Sequence, residues 1–232
     1  MRTVLALVVA GLVALAAIFS PNRHTSPTPS STLSQQTLAQ PSGQAADALA
    51  HLPVKGRAPK TGYNRTLFGG QWADVGACDM REKILARDLT NVQYVSATDC
   101  SVLSGTLNDP YTAKVIEFHR GPYTSNQVQI DHVVAIGDAW QKGAQEISAA
   151  LRPQLYNDPL NLLAVDGAIN QQKGDADAAT WLPPNKDFRC RYVARQISVK
   201  VKYVLWVTQA EHDAMAQVLA TCPGQQLPLV SQ

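Results

Sequence analysis

The run Val128-Gln129-Ile130-Asp131-His132-Val133-Val134 reads as a β-strand, and near its end a carboxylate and an imidazole stand side by side. Later in the chain, Asn157-Asp158-Pro159 introduces a second short apolar run, Leu160-Asn161-Leu162-Leu163-Ala164-Val165. That run reads as a strand over 161–165 and leads into Asp166-Gly167-Ala168-Ile169-Asn170-Gln171-Gln172-Lys173, where a helix is expected to start near Gly167. Strand, strand and helix in this order confine the centre of the chain to an α+β arrangement. Adjacent side chains on a strand point to opposite faces, so Asp131 and His132 can take different roles.

The remaining elements are consistent with one α+β domain. A short helix is expected over 45–52, followed by a turn-rich stretch with aromatic anchors over 61–74. Asp79 can cap a helix whose apolar positions Ile84, Leu85 and Leu89 fall at helical spacing. Strands are expected at 101–107 and 114–119, separated by the turn Asn108-Asp109-Pro110. Helices are expected over 136–141 and 146–155, on either side of Gly143. A long helix is expected over 188–206. Thr208-x-x-Glu211 forms a capping box that opens the last helix, which runs toward Cys222. There is no internal repeat.

Three divisions follow from composition. Residues 1–20 hold a short basic start and an apolar run over 3–19, which suit a secretory signal with a small-residue cleavage site at Ala14-Leu15-Ala16. Left uncut, the same run is nearly long enough to span a bilayer and serve as an anchor. Residues 21–44 are rich in Pro, Ser, Thr and Gln, with too little apolar surface to offset their ordering entropy, so a disordered linker is expected. Residues 45–232 form the folded domain.

The four cysteines, Cys78, Cys100, Cys190 and Cys222, are even in number behind an export signal, which points to two disulfides in an oxidising compartment. Three pairings are open, of which Cys78–Cys100 with Cys190–Cys222 is the local one. A four-cysteine zinc site is disfavoured, because no two cysteines have C-x-x-C spacing. The formal net charge is only +2, so the molecule as a whole is not an electrostatic magnet for nucleic acid. Any phosphate binding has to come from a local patch.

Phosphodiester hydrolysis needs a water deprotonated, the phosphate charge neutralised and the departing alkoxide stabilised. A histidine with an ordinary pKa of about 6.5 can take the proton near pH 7. A hard divalent cation held by oxygen ligands can do the rest.

Asp131-His132, then Asn161, then Asn170-x-x-Lys173, resembles the HNH nuclease motif, which folds as a ββα-metal finger of the His-Me type. The resemblance extends along the chain to secreted bacterial HNH endonucleases. It is carried by Gly-Tyr-x-Arg at 62–65, Leu-Ala-Arg-Asp-Leu at 85–89 and Ser-Gly-Thr-Leu-Asn-Asp-Pro-Tyr-Thr at 104–112. It continues through Ile-Asp-His-Val-Val-Ala at 130–135, Asn-Asp-Pro-Leu-Asn-Leu-Leu-Ala-Val-Asp-Gly at 157–167 and Lys-Gly-Asp at 173–175. Trp-Leu-Pro-Pro-Asn at 181–185 and Leu-Trp-Val-Thr at 205–208 complete it.

The resemblance implies that Asp131 is a metal ligand, His132 the general base, and Asn161 the middle motif residue that fixes the loop between the strands. Asn170 on the helix becomes the second metal ligand, and Lys173, one turn further on the same face, a phosphate contact. An Asn stands where the motif's name expects a final His, and its oxygen suits magnesium, with manganese as the alternative, better than zinc. Ala113 and Met80 stand where the pattern leads one to expect Gly and Thr.

Two further phosphate contacts are expected. Arg120 follows the strand at 114–119; a solvated strand-end charge is the plain alternative. Arg195 belongs to a stripe with Arg191 and Lys202 on the long helix, opposite Val193, Ile197 and Val204. That stripe reads either as a backbone-tracking surface or as the solvated face of an amphipathic helix. No aromatics interleave with base-edge readers, so sequence-specific recognition finds no support.

The expectation is therefore an exported, disulfide-stabilised, metal-dependent HNH endonuclease with DNA as the leading substrate and RNA as the alternative, with little sequence preference and no small-molecule cofactor. Membrane attachment arises only if the N-terminal segment stays uncleaved. The alternative is a non-catalytic, envelope-anchored binding protein on the same scaffold.

Overall fold

A computed structural model of the protein describes residues 43–228. The signal or anchor expected over 1–20 lies outside the described residues, and so does the linker expected over 21–44 apart from its last two positions. Among the described residues no helix is long and apolar enough to cross a membrane.

Helix α1 (Ala45–His51) opens the fold and buries Ala45 and Leu49. A single 3₁₀ turn at Arg65–Phe68 follows, capped by the Asn64 side chain on the Thr66 amide and anchored by the fully buried Phe68. After the small ladder β1 (Asp74–Val75) and β2 (Cys78–Asp79), α2 (Met80–Asp88) begins at Asp79, whose carboxylate accepts from the Glu82 amide at 2.9 Å. Leu89, expected inside this helix, instead heads β3 (Leu89–Tyr94), an edge strand in the antiparallel sheet β3-β4-β5 with β4 (Val102–Asn108) and β5 (Val115–His119). Sequence gave no sign of β3 because its inward and outward positions do not alternate in polarity, and Asn91 at φ 53° interrupts its register. Pairing with β4 holds it.

The central pair is β6 (Val128–His132) and β7 (Leu162–Asp166), antiparallel, with Asp131 opposite Leu163 and His132 opposite Leu162. Their connection carries α3 (Ile136–Ala139), a π turn over Trp140–Ala144 with Gly143 at φ 118°, and α4 (Arg152–Tyr156). The helix expected from 146 starts only at 152, where Pro153 falls in the first turn, the one place a helix tolerates its missing N–H.

Helix α5 (Gly167–Lys173) follows β7 directly. The helix expected over 188–206 is α6 (Arg189–Lys202) and stops earlier: Val204 takes φ 54°, and Trp206 and Val207 run on to bond Lys142 and Pro53. No Gly or Pro marks that stop, so the apolar periodicity runs past it. Helix α7 (Gln209–Ala220) opens with the expected capping box of Thr208 and Glu211.

Three apolar clusters hold the layers. One gathers α1, α6 and α7 with Tyr111 and Val165, one surrounds Trp140 and Leu155, and one packs α2 against β4, β6 and β7. Between them lies a buried ion cluster. Lys142 Nζ sits 2.9, 2.7 and 2.6 Å from Asp138, Asp177 and Glu211, and Lys200 lies 3.0 Å from Glu211. The disulfides are Cys78–Cys100 and Cys190–Cys222, the local pairing.

Candidate active site

Two features of the chain aim α5 at the end of β6. Asp166 accepts from the Ala168 and Ile169 amides and so caps the helix. Gly167 packs so closely on the chain that a Cβ there would overlap the Asn126 carbonyl oxygen. The helix therefore starts tight against the strand pair, and its inner face looks onto Asp131 and His132.

Asp131 is buried, and both its oxygens are engaged. Lys173 Nζ donates to Oδ1 at 2.9 Å and also to the His132 carbonyl at 2.9 Å, while the Tyr111 hydroxyl donates to Oδ2 at 2.5 Å. Tyr111 is placed by the turn before it. Asp109 accepts from the Thr112 amide and hydroxyl and, through its other oxygen, from the Asp166 amide. One carboxylate thus joins that turn to the β7–α5 junction. Burial pushes the Asp131 carboxyl up, and Lys173 and Tyr111 oppose that. Burial and the Asp131 charge hold the Tyr111 phenol well above its ordinary value.

The His132 ring lies between aromatic neighbours, stacked on Trp72 with centroids 5.7 Å apart and tilted against Tyr156 at 4.5 Å. Its Nε2 sits 2.8 Å from the Tyr156 carbonyl. A carbonyl can only accept, so Nε2 carries the proton and Nδ1 presents its lone pair. Nδ1 lies 3.4 Å from Arg65 Nη2. Burial first, and the Arg65 charge second, push the imidazole pKa down to about 3. The ring is neutral at every physiological pH.

Asn170 donates from Nδ2 to Gln129 Oε1 at 2.9 Å, which leaves its carbonyl oxygen as the free end. Asp131, His132 and Asn170 line one cavity of about 190 Å³ together with Arg65, Gly174 and Asp175. Asn161 stands apart from it and is fully buried. Its Oδ1 accepts from the Val134 amide at 2.8 Å and its Nδ2 donates to the Val134 carbonyl at 3.2 Å. With Val133 N–H bound to the Asn161 carbonyl, this clip ends β6 at His132 and fixes the chain beyond it.

The structure therefore brings Asp131, His132 and Asn170 together and gives Asn161 a backbone-fixing position. The residues expected to touch phosphate are placed otherwise. Lys173 is fully buried behind Asp131, with its ammonium already hydrogen-bonded. Arg120 reaches back to α2, where Nη2 lies 2.6 Å from both Glu82 oxygens and Nε donates to the Val102 carbonyl. Arg195 donates to the Leu162 carbonyl at 3.0 Å. Neither arginine lines the cavity.

The basic stripe on α6 is only partly open: Lys202 pairs with Asp158 at 2.8 Å, while Arg191 lies over Phe188 and stays exposed. Sequence reasoning missed Tyr111, Arg65, Trp72 and Tyr156. The first two sit inside segments quoted for the resemblance, Asp-Pro-Tyr-Thr and Gly-Tyr-x-Arg, with no role assigned. Trp72 and Tyr156 carried no signal, since nothing local tells an aromatic that flanks a buried imidazole from one that fills a core.

An uncharacterized secreted protein of Arthroderma benhamiae (strain ATCC MYA-4681 / CBS 112371) is 37% identical over 186 residues, covering 78% of this chain and 87% of that protein. No solved structure matches. Residues 79–218, more than half of the chain and including both strands and the helix of the candidate site, match the family model described as GmrSD restriction endonucleases, C-terminal domain. The chain belongs to that family.

Proposed function

We propose that this protein is an exported, metal-dependent HNH endonuclease that hydrolyses the phosphodiester bonds of nucleic acid, DNA before RNA, with little sequence preference. The observation that carries the reading is the His132 ring. It is fixed by the Tyr156 carbonyl, flanked by Trp72 and Tyr156, and offers an unprotonated Nδ1 to a cavity shared with a carboxylate and a carboxamide. The nuclease relationship of the family supports it, as β6, β7 and α5 support a ββα-metal finger.

In this mechanism Nδ1 accepts a proton from water, the water oxygen attacks phosphorus as the P–O3′ bond breaks, and the departing O3′ takes a proton from solvent. The products carry 5′ phosphate and 3′ hydroxyl ends. A pKa near 3 keeps the base ready but weak in the free protein. An anionic phosphate entering beside Arg65 favours the imidazolium and so strengthens the base when substrate is bound.

The residues present fit a hard divalent cation, magnesium or manganese. A carboxylate offers about four lone-pair sites, of which Asp131 uses two, and Asn170 adds a free amide oxygen. Magnesium keeps several of its waters and needs only one or two carboxylates. Among the described residues there is no cluster of three or more His, Cys, Asp or Glu suited to a metal, so a cation here would depend on Asp131, Asn170 and its own waters. Asp131 and Asn170 would hold the cation, which would supply charge stabilisation at the phosphate and the leaving oxygen. Asn161 acts by holding the chain after His132.

Export is supported by the apolar run at 3–19, by two disulfides and by the secreted description of the relative. A binding-only reading rests on one observation, that both Asp131 oxygens already have protein donors. Incubation of the purified protein with plasmid separates the two readings. Nicking that appears with Mg²⁺ or Mn²⁺ and stops with EDTA supports hydrolysis; DNA retention without nicking in any of these conditions supports the binding protein.

A further inference from the structure

We infer that Arg65 is the phosphate anchor of this cavity, a role that rests on the hydrolytic reading above and deepens it. The charges around the cavity are almost all compensated. Asp131 is paired with Lys173 at 2.9 Å, and Asp175 with Lys60 at 2.8 Å. Arg65 is the remaining charged group lining the cavity. Among the described residues no carboxylate lies within ion-pairing distance of its guanidinium, whose polar contacts are the Tyr156 hydroxyl at 3.3 Å and His132 Nδ1 at 3.4 Å. A cavity with one uncompensated cation beside a neutral base is built to receive an anion.

The group is held in position before any ligand arrives. The guanidinium lies over the Tyr156 ring at 5.1 Å. The short turn that carries it is fixed by the Asn64 cap and by Phe68, which packs edge-on against Trp140 at 6.2 Å. A planar guanidinium can hold two phosphate oxygens at once, and one already ordered loses less freedom in doing so. Its reach to Nδ1 puts a bound phosphate within the range of a water that His132 would deprotonate. Arg65 lies outside the stretch matched by the family model, 79–218, so the segment before that domain completes its site.

The test is fluorescence anisotropy of a short labelled DNA duplex in EDTA, so that binding is read without cleavage, for wild type, Arg65→Ala, Arg65→Lys and His132→Ala across a KCl series. Arg65→Ala is expected to bind roughly 10- to 100-fold more weakly. Its slope of log affinity against log salt should be shallower by about 0.9, the share of one phosphate contact. Arg65→Lys should keep the slope and recover part of the affinity; His132→Ala, which retains the Arg65 charge, should keep the slope. A structural role would not change the salt slope, and circular dichroism melts confirm that each variant is folded. If wild type binds and cleaves, His132→Ala does not cleave, and Arg65→Ala matches wild type in affinity and slope, the Arg65 assignment is wrong while the nuclease reading stands. If wild type neither binds nor cleaves, both fall.

Discussion

Replacing Lys173 with Met keeps the length of the stem, fills the same space and removes only the ammonium. The structure says what that ammonium does: it is fully buried and donates at 2.9 Å to both Asp131 and the His132 carbonyl, while the Asp131 side chain is itself only 6% exposed. Removing one partner of a buried pair leaves a charge in a poorly solvated place, at a cost of about 3–5 kcal/mol. Tyr111 still donates to Asp131, and the cavity beside it admits water, so the low end, about 3 kcal/mol, is expected at pH 8. The size of the loss should depend on pH. Burial already raises the Asp131 carboxyl, and without Lys173 it rises further. A carboxyl whose folded pKa lies above its unfolded value binds more protons when folded, so the variant gains stability as pH falls toward and below the folded pKa. The difference from wild type should therefore shrink as pH falls. Denaturant unfolding with the disulfides intact, fitted with a shared m-value, reads this directly. A loss below about 1 kcal/mol, as for an exposed pair, or a loss that grows on acidification, would refute the argument.

Three other results are expected. The His132 ring, with its pKa near 3, should show the Nε2–H tautomer by ¹⁵N NMR and no titration between pH 8 and pH 5. Because that pKa lies below the unfolded value of about 6.5, the stability it confers is complete above that value. It should be lost as pH falls from there toward 3, at up to about 1.4 kcal/mol per pH unit, and His132→Gln should flatten the slope in urea unfolding. Ala113 holds φ 61°, a left-handed conformation that costs a non-glycine residue about 1 kcal/mol. Ala113→Gly should raise the melting temperature, and a drop would show that this strain is absent.

How much of this could be read from the chain depends on whether the cause is local. The Asp79 cap, the Thr208–Glu211 box, the strand pair and the start of α5 at Gly167 each rest on neighbours in sequence, and each lies where expected. The stop of α6 at Val204 and the edge strand β3 are imposed from outside by packing and pairing, and no local pattern marks them. The site divides in the same way. Asp131, His132 and Asn170 were legible because motif order places them on elements that must meet. Lys173, Arg120 and Arg195 share the chemistry of phosphate binding, but their charges are used within the fold, by Asp131, Glu82 and the Leu162 carbonyl. Which cation remains unpaired follows from three-dimensional accounting, and that accounting selects Arg65, which had stood in a quoted segment without a role.

The central claim is that the imidazole at 132 takes the proton from the attacking water. Single-turnover cleavage of a defined DNA duplex in Mg²⁺, comparing wild type with His132→Ala prepared identically, tests it most directly. Loss of a positioned general base should slow cleavage by roughly 10²- to 10⁴-fold at saturating protein, with the duplex still bound in EDTA. Equal rates for the two proteins would contradict the account.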